Sequence, residues 1–424
     1  MENKKNIDST LNHLFRQESG KMVAVLIKIF GTENIEMAED VVQDALVSAL
    51  ETWKFRGIPD NPRAWLYRTA RNKAIDIIRR KKHSKIIDFS DPKKQLLTSG
   101  YTIKSTMNDF WEEDQIQDDF LAMMYACCHP DISQENQITF ILKILCGFST
   151  KEVARSFLTS EDTISKRLYR TKEYFRKNKI RPAIPAKSVI VFRTSTVLSA
   201  IYLMFNEGYN STHADQLIRK DLIGQAMLLC RSLLSAERTK FPQVYALMAL
   251  MCFHAARLDS RVGTNGSLIL LSQQDRTKWD QNFIQSGEDY LNRASFGDTL
   301  TTYHLEAAIA YEHCRAKYYE DTNWKSILRY YDLLLEIAND PIVSLNRCLV
   351  ILELCGPEEA LAVLKEIKNN KLLESYYLLH ATLGEVYNRL HNKKLSKLHY
   401  QKALELTQSK LEQRFLKEKI DSFS

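Results

Sequence analysis

Residues 149–177, STKEVARSFLTSEDTISKRLYRTKEYFRK, constrain the fold of this chain more than any other stretch. They divide into a short helical segment, a break, and a longer helical segment. Ser149 or Thr150 can cap the first, which carries Val153, Ala154 and Phe157. Leu158 and Thr159 interrupt it. Ser160, Glu161 and Asp162 open the second segment with a cap and an acidic first turn, which suits the positive end of a helix dipole. Ile164, Leu168 and Phe175 recur at spacings of four and seven, whereas Lys166, Arg167, Arg170 and Lys177 lie off that side. The small Ala154 lets the two segments cross closely. A helix, a tight turn and a basic second helix is how a chain places side chains in a DNA major groove. Any lysine-rich helical hairpin has the same outline, so the surrounding sequence has to decide between the two.

That sequence is helical almost throughout. Only 13 glycines and 9 prolines occur in 424 residues, so long apolar periodicities run without interruption. An all-α protein of more than one core is expected at this length. The charge is placed unevenly. Residues 1–190 hold 31 lysines and arginines against 25 aspartates and glutamates, and the remainder holds 28 against 27. An anionic partner is therefore expected on the N-terminal half.

A first amphipathic region spans 8–30 and breaks at Gly31–Asn34. From Ile35 to Trp53, Ala38, Val41, Val42, Ala45, Leu46, Ala49, Leu50 and Trp53 recur at threes and fours, opposite Glu36, Glu39, Asp40, Gln43, Asp44 and Glu51. That acidic face is either solvated or the docking surface of a basic partner helix. After the loop KFRGIPDNP, Asn61 caps a helix with Pro62 at its first position. This helix turns Leu66, Ala70, Ala74 and Ile77 inward and Trp65, Arg68, Asn72, Asp76 and Arg79 outward. Residues 61–85 carry nine lysines and arginines and one aspartate. Cations interleaved with Trp65 and Tyr67 suit nucleic acid, because cations hold phosphates and a flat ring stacks on an unpaired base. Residues 86–118 are polar, aperiodic and acidic toward their end, and read as a linker. Four short helices over 119–181 then end in the hairpin described above, and Arg181–Pro185 marks another boundary.

Beyond it the chain is helical with little charge bias. The polar segment 262–281 interrupts long apolar helices, and Asp275, Arg276, Trp279 and Asp280 within it read as a helix start with internal ion pairs. Residues 377–410 carry a tetratricopeptide-like pattern in Leu383, Gly384, Tyr387, Ser396, Tyr400 and Ala403. Stacked pairs of this kind build a concave surface for a peptide or protein. Eight cysteines lie mostly in apolar stretches without a CxxC pair, as expected of reduced thiols in a cytoplasmic protein. Cys127–Cys128–His129 has no second ligand pair nearby, so no metal is expected. No Gly-rich phosphate loop, HExxH or nucleophile elbow appears, so neither an enzyme nor a cofactor is expected. The N-terminus lacks a signal-peptide core, and Val189–Phe205 reads as a buried helix rather than a membrane span.

AEDVVQDALVSALETW with NPRAWLYRTARNKAIDIIRR resembles region 2 of the extracytoplasmic-function sigma factors of bacterial RNA polymerase, and EVARSFLTSEDTISKRLYRTKEYFR resembles their region 4. YLMFNEGYNS (202–211), QQDRTKWD (273–280) and SLNRCLVILELCGPEEAL (344–361) resemble the subgroup with a long C-terminal tetratricopeptide-like extension. The resemblance implies region 2 over 1–85, an acidic linker over 86–118, region 4 over 119–181 and the extension over 182–424. It implies that Asp40, Gln43 and Asp44 grip the clamp helices of the polymerase β′ subunit, with the β flap as a second contact. Phe55, Arg56, Asn61, Trp65, Arg68, Arg71, Asn72, Lys73, Arg79 and Arg80 would engage the −10 promoter element. Ser160, Thr163, Lys166, Arg167 and Arg170 would read the −35 element. The function implied is promoter-specific initiation, regulated in cis by the extension; the alternative is a stand-alone helix-turn-helix regulator with a sensing domain. The family has glycine at the turn of the helix-turn-helix where this chain has Leu158, and leucine costs about 1 kcal/mol or more if the left-handed backbone is kept.

Overall fold

The computed structural model describes residues 2–423 except 82–96, 98–102, 158, 184, 212–217, 264–266 and 369. The turn position Leu158 thus lies outside the described residues. The protein is all-α. Among the described residues the one β feature is an isolated bridge between Val262 and Leu268. The chain forms two compact units, Met1–Met204 and Phe205–Ser424.

The first unit is built on α1 (Glu2–Phe30). Met22 to Ile27, Ile29 and Phe30 are all buried, so the last two turns of α1 are covered on every side. Each fully buried aliphatic or phenyl side chain here contributes about 1.5–3 kcal/mol. Gly31 ends α1 at φ 92, a left-handed conformation open to glycine without strain. Packed around α1 are α2 (Ile35–Arg56), α3 (Pro62–Lys81) and α5 (Glu113–Cys127), with α4 (Ile103–Phe110) against α3. Next come α6 (Gln134–Phe140), a wide turn over Ile141–Leu145, α7 (Thr150–Ser156), α8 (Glu161–Asn178) and α9 (Lys187–Tyr209). At Gly20 of α1 a Cβ would fall 1.8 Å from the carbonyl oxygen of Leu145, so only glycine permits this crossing.

Three expectations change here. The segment 103–118 is helical and packed rather than linker: Ile103, Met107 and Phe110 are buried at spacings of four and three, and Ile116 follows them. In α3 the buried row is Leu66, Ala70, Ala74, Ile75 and Ile78, with Ile77 only half-buried. The buried row keeps a spacing of four through 66, 70, 74 and 78, with Ile75 beside it, so it runs on to Ile78 rather than stepping back to Ile77. In α2, Leu50 is 44% exposed instead of buried.

Among the described residues one helical stretch, Val189–Tyr209, is long and apolar enough by length and composition to cross a membrane, and half of its apolar window is buried in the protein. Arg193 within it donates to the Tyr125 carbonyl at 3.1 Å, and Thr194 shares a hydrogen bond with the Tyr125 hydroxyl at 2.9 Å. Cys127, Cys128 and Cys146 are buried, and burial pushes the Cys128 and Cys146 thiols up to about 12.

The second unit contains α10 (Lys220–Ser235), α11 (Pro242–Ala256), α12 (Gln281–Ala294) and α13 (Thr302–Arg315). α11 is apolar on every face and buried from Ala246 to Phe253, with α12, α13 and α10 packed on it. Thereafter α14 (Trp324–Ile337), α15 (Pro341–Leu354), α16 (Pro357–Ile367), the short α17 (Lys371–Glu374), α18 (Tyr377–Arg389), α19 (Lys393–Leu406) and α20 (Lys410–Asp421) run as a series of packed neighbours. In the pair α18–α19 a Cβ at Gly384 would meet the Tyr400 ring at 2.8 Å, and the Ser396 hydroxyl donates to the Gly384 carbonyl at 2.8 Å. The small residues singled out in the sequence therefore sit where these two helices cross.

Candidate nucleic-acid interface

α2, α3 and α8 position the candidate residues. On α2 the apolar positions Ala38, Val41, Val42, Ala45 and Ala49 are buried, which turns Asp40, Gln43 and Asp44 outward, all exposed. Val47 (51% exposed) and Leu50 continue the same strip at helical spacing. Two carboxylates beside two exposed aliphatic side chains form an amphipathic strip suited to a partner helix with cations and an apolar contact. The aliphatic half was not anticipated from the sequence, which places Leu50 in the apolar row and leaves Val47 unassigned. Lys73 of α3 approaches Asp44 at 3.8 Å.

α3 begins as the sequence predicts, with the Asn61 side chain accepting from the Ala64 N–H at 2.9 Å. One cation of this helix is committed to the fold. Arg63 donates to both carboxylate oxygens of Glu113 at 2.7 and 2.8 Å, lies 3.2 Å from Glu18, and stands 5.1 Å from the centre of the Tyr67 ring. Burial works against its charge, but the hydrogen bonds to Glu113 and Tyr67 prevail and raise its pKa. The bond from Arg63 holds the Glu113 carboxyl below its usual value. Tyr67 donates to Glu18, and burial followed by that carboxylate raises its pKa, so the ring serves the core.

The outer side of α3 differs. Arg68, Asn72, Arg79 and Arg80 are exposed, and Arg68 and Arg80 have no ion pair to a described residue. Arg79 makes a loose contact with Asp76 at 3.8 Å, and Arg71 donates to Asn108 at 2.5 Å. Trp65 is half-buried, its ring edge-on to buried Trp53 with centroids 5.5 Å apart. Phe55, at the end of α2, is 84% exposed, with Arg56 exposed beside it. α3 thus presents a braced indole and several solvent-facing guanidinium groups, and the end of α2 adds an exposed phenyl ring. Such a surface can hold phosphates and stack on a base.

The two-helix hairpin also forms. Ser149 and Glu152 make a reciprocal capping box at the start of α7. Ser160 caps α8 by accepting from the Thr163 N–H at 3.2 Å. The buried seam is Ile164, Thr171 and Phe175, the last 5.3 Å from the Phe140 ring. Ser160, Lys166 and Arg170 are exposed and Thr163 is half-buried. Arg167 is placed differently. It pairs with Glu135, lies 5.1 Å from the centre of the Phe157 ring and is 17% exposed in its side chain, so it braces the hairpin. Lys166 pairs with Asp162 one turn earlier at 2.7 Å.

Further along α8 the cations reach α2: Lys172 meets Glu39 at 2.6 Å and Arg176 meets Glu36 at 3.1 Å. Arg16 of α1 pairs with Glu152 at 3.0 Å, Lys28 pairs with Asp119, and the Thr32 hydroxyl donates to the Ile180 carbonyl at 2.7 Å. Glu36 and Glu39 of the acidic row of α2 are thereby engaged inside the unit, whereas Asp40, Asp44 and Glu51 face out. Among the described residues no group of three or more His, Cys, Asp or Glu is arranged to hold a metal ion.

Residues 14–84 match the family model described as Sigma-70 region 2, which places a sigma-factor segment at α1–α3. Residues 193–295 match a family described as one of unknown function. An uncharacterized protein of Rhizobium meliloti (strain 1021) is 29% identical over 399 residues, covering 94% of this chain and 92% of its own length. No solved structure matches the chain.

Proposed function

We propose that this chain is an extracytoplasmic-function-type sigma factor that binds core RNA polymerase and directs it to a set of promoters. The observation that carries this reading is the Sigma-70 region 2 match over 14–84, together with the outward Asp40–Gln43–Asp44 strip and the free cations of α3 in that same segment. In this reading the strip takes the β′ clamp helices. Phe55, Arg56, Asn61, Trp65, Arg68, Arg71, Asn72, Lys73, Arg79 and Arg80 hold and open the −10 element. Flipping a base out of the stack costs a few kcal/mol, which ring stacking and phosphate contacts can offset. Ser160, Thr163, Lys166 and Arg170 face the −35 element, with Arg167 fixing the hairpin that presents them, and the β flap takes region 4. Bond formation belongs to the polymerase, and this chain contributes no catalytic group. The second unit, with its tetratricopeptide-like pair α18–α19, regulates initiation in cis.

Run-off transcription with core polymerase and a genomic promoter library tests this. Specific transcripts that depend on the chain are expected; a chain that neither binds core nor changes promoter choice sinks the proposal. Asp40→Arg and Asp44→Arg should each abolish binding to core while the circular dichroism spectrum is kept, and unchanged affinity counts against the docking strip.

A further inference from the structure

Three arginines of the second unit, Arg257, Arg261 and Arg276, come together without a carboxylate paired to them. The Arg261 guanidinium lies 3.7 Å from the centre of the Tyr209 ring and donates to the Tyr209 carbonyl. Arg257 shares that ring at 5.7 Å, and its Nε donates to the Tyr209 hydroxyl at 2.6 Å. Arg276 donates to the carbonyls of His313 and Ala316 at 2.9 Å each and to the Thr322 hydroxyl at 3.0 Å. It stands 5.2 Å from the centre of the Trp279 ring.

The three cations bear on one another and on two histidines. Burial and then proximity to other cations lower the pKa values of His254 and His313, His313 to about 3, with Arg257 a cause in both. Burial lowers the pKa of Arg261 and of Arg276, and Arg257 again contributes in each case.

Nothing among the described residues forms an ion pair with any of the three. The acids near them in sequence are engaged elsewhere: Glu207 lies 3.6 Å from Arg219, Asp259 meets Lys220 at 2.6 Å, and Asp275 meets Lys278 at 3.3 Å. Arg261 is 8% exposed and Trp279 is 2% exposed. The indole N–H of Trp279 and Nδ1 of His313 are buried without a hydrogen-bond partner. Arg261 is buried and Arg257 and Arg276 are half-buried. Like charges drawn out of water beside unpartnered polar nitrogens are costly to a fold, and an anion that supplies acceptor oxygens relieves both costs at once. The planar fork of a guanidinium matches two oxygens of a carboxylate or a phosphate, and the aromatic faces hold the forks in place.

We propose that Arg257, Arg261 and Arg276, between Tyr209 and Trp279, form a binding site for the oxyanion group, phosphate or carboxylate, of a small molecule. The arginines and both rings fall within residues 193–295, so the site gives that segment a ligand-binding role. It belongs to the second unit, whereas the polymerase and promoter surfaces belong to the first.

The test uses the full chain at fixed ionic strength, titrated with sodium phosphate, sodium succinate or sodium chloride. Thermal denaturation and tryptophan fluorescence are the readouts. A saturable rise in melting temperature with phosphate or succinate, absent with chloride, is expected, and the anion that produces it identifies the headgroup. Arg257→Met and Arg261→Met should each weaken that binding at least tenfold while raising the melting temperature in chloride, because like-charge repulsion is relieved. Arg276→Lys, which keeps the charge and loses the fork, should also weaken binding about tenfold; it decides the matter if the methionine variants fail to fold. The proposal is overturned if neither anion gives a saturable change beyond chloride. It is equally overturned if binding persists at full strength in the folded variants.

Discussion

α3 and α8 are both basic helices with aromatic neighbours, and they differ in how many of their cations meet carboxylates from elsewhere in the chain. α3 commits Arg63 to the fold and leaves Arg68 and Arg80 without an ion pair to a described residue. α8 commits Arg167, Lys172 and Arg176 to Glu135, Glu39 and Glu36, and pairs Lys166 with its own first turn. Charge density alone does not measure what a helix offers to DNA. The difference lies in whether carboxylates from other parts of the chain arrive opposite it.

The sharpest way to break the comparison is through the seam of α8. Phe175→Ala empties a fully buried site against Phe140 and should cost about 3–5 kcal/mol in chemical denaturation of the full chain. A loss under about 1 kcal/mol would mean that α8 is not anchored there.

Next in size is the effect of the free cations. In the polymerase–promoter complex, Arg68→Ala with Arg80→Ala should lower the slope of log affinity against log salt by about 0.9 for each phosphate no longer neutralised. Arg167→Ala should leave that slope in place and lower stability instead, by about 1–2 kcal/mol. Equal slopes in the two variants would erase the distinction drawn between the helices.

Lys172→Ala should destabilise the first unit by about 1 kcal/mol at most, since both partners are partly exposed, and less in high salt. Indifference to salt would show that the pair is idle.

The smallest effect is a pH limb. The carboxyl of Glu113 has its pKa lowered in the folded protein, so the stability it contributes is present above its ordinary value near 4.5 and is lost as pH falls through the lowered one. Arg63→Met should flatten that part of the acid-denaturation curve; an unchanged curve would remove Glu113 from the account.

Much of this was legible from local rules. Asn61–Pro62 and the Ser160 cap are signals written within four residues and form as the sequence predicts, and of Ser149 and Thr150 it is Ser149 that caps, in a box with Glu152. The outward turn of Asp40, Gln43 and Asp44 follows from a periodicity that every turn of α2 repeats. What escaped depends on partners far along the chain. Arg167 reads as a DNA contact until Glu135 is placed against it, and Ile103, Met107 and Phe110 look like scattered apolar residues until α3 lies beside them. The cluster of Arg257, Arg261 and Arg276 is further from view, because Arg276 is anchored by carbonyls of residues 313 and 316.

The crossing at Gly20 has a consequence for synthesis. The apolar turns Met22–Phe30 leave the ribosome long before Leu145, whose backbone lies against that helix. At a translation rate of roughly 5–20 residues per second, the nascent helix waits on the order of ten seconds with part of its apolar surface uncovered. During that interval the N-terminal three helices form an incomplete core. The newborn protein therefore exposes that surface until the segment carrying Leu145 emerges.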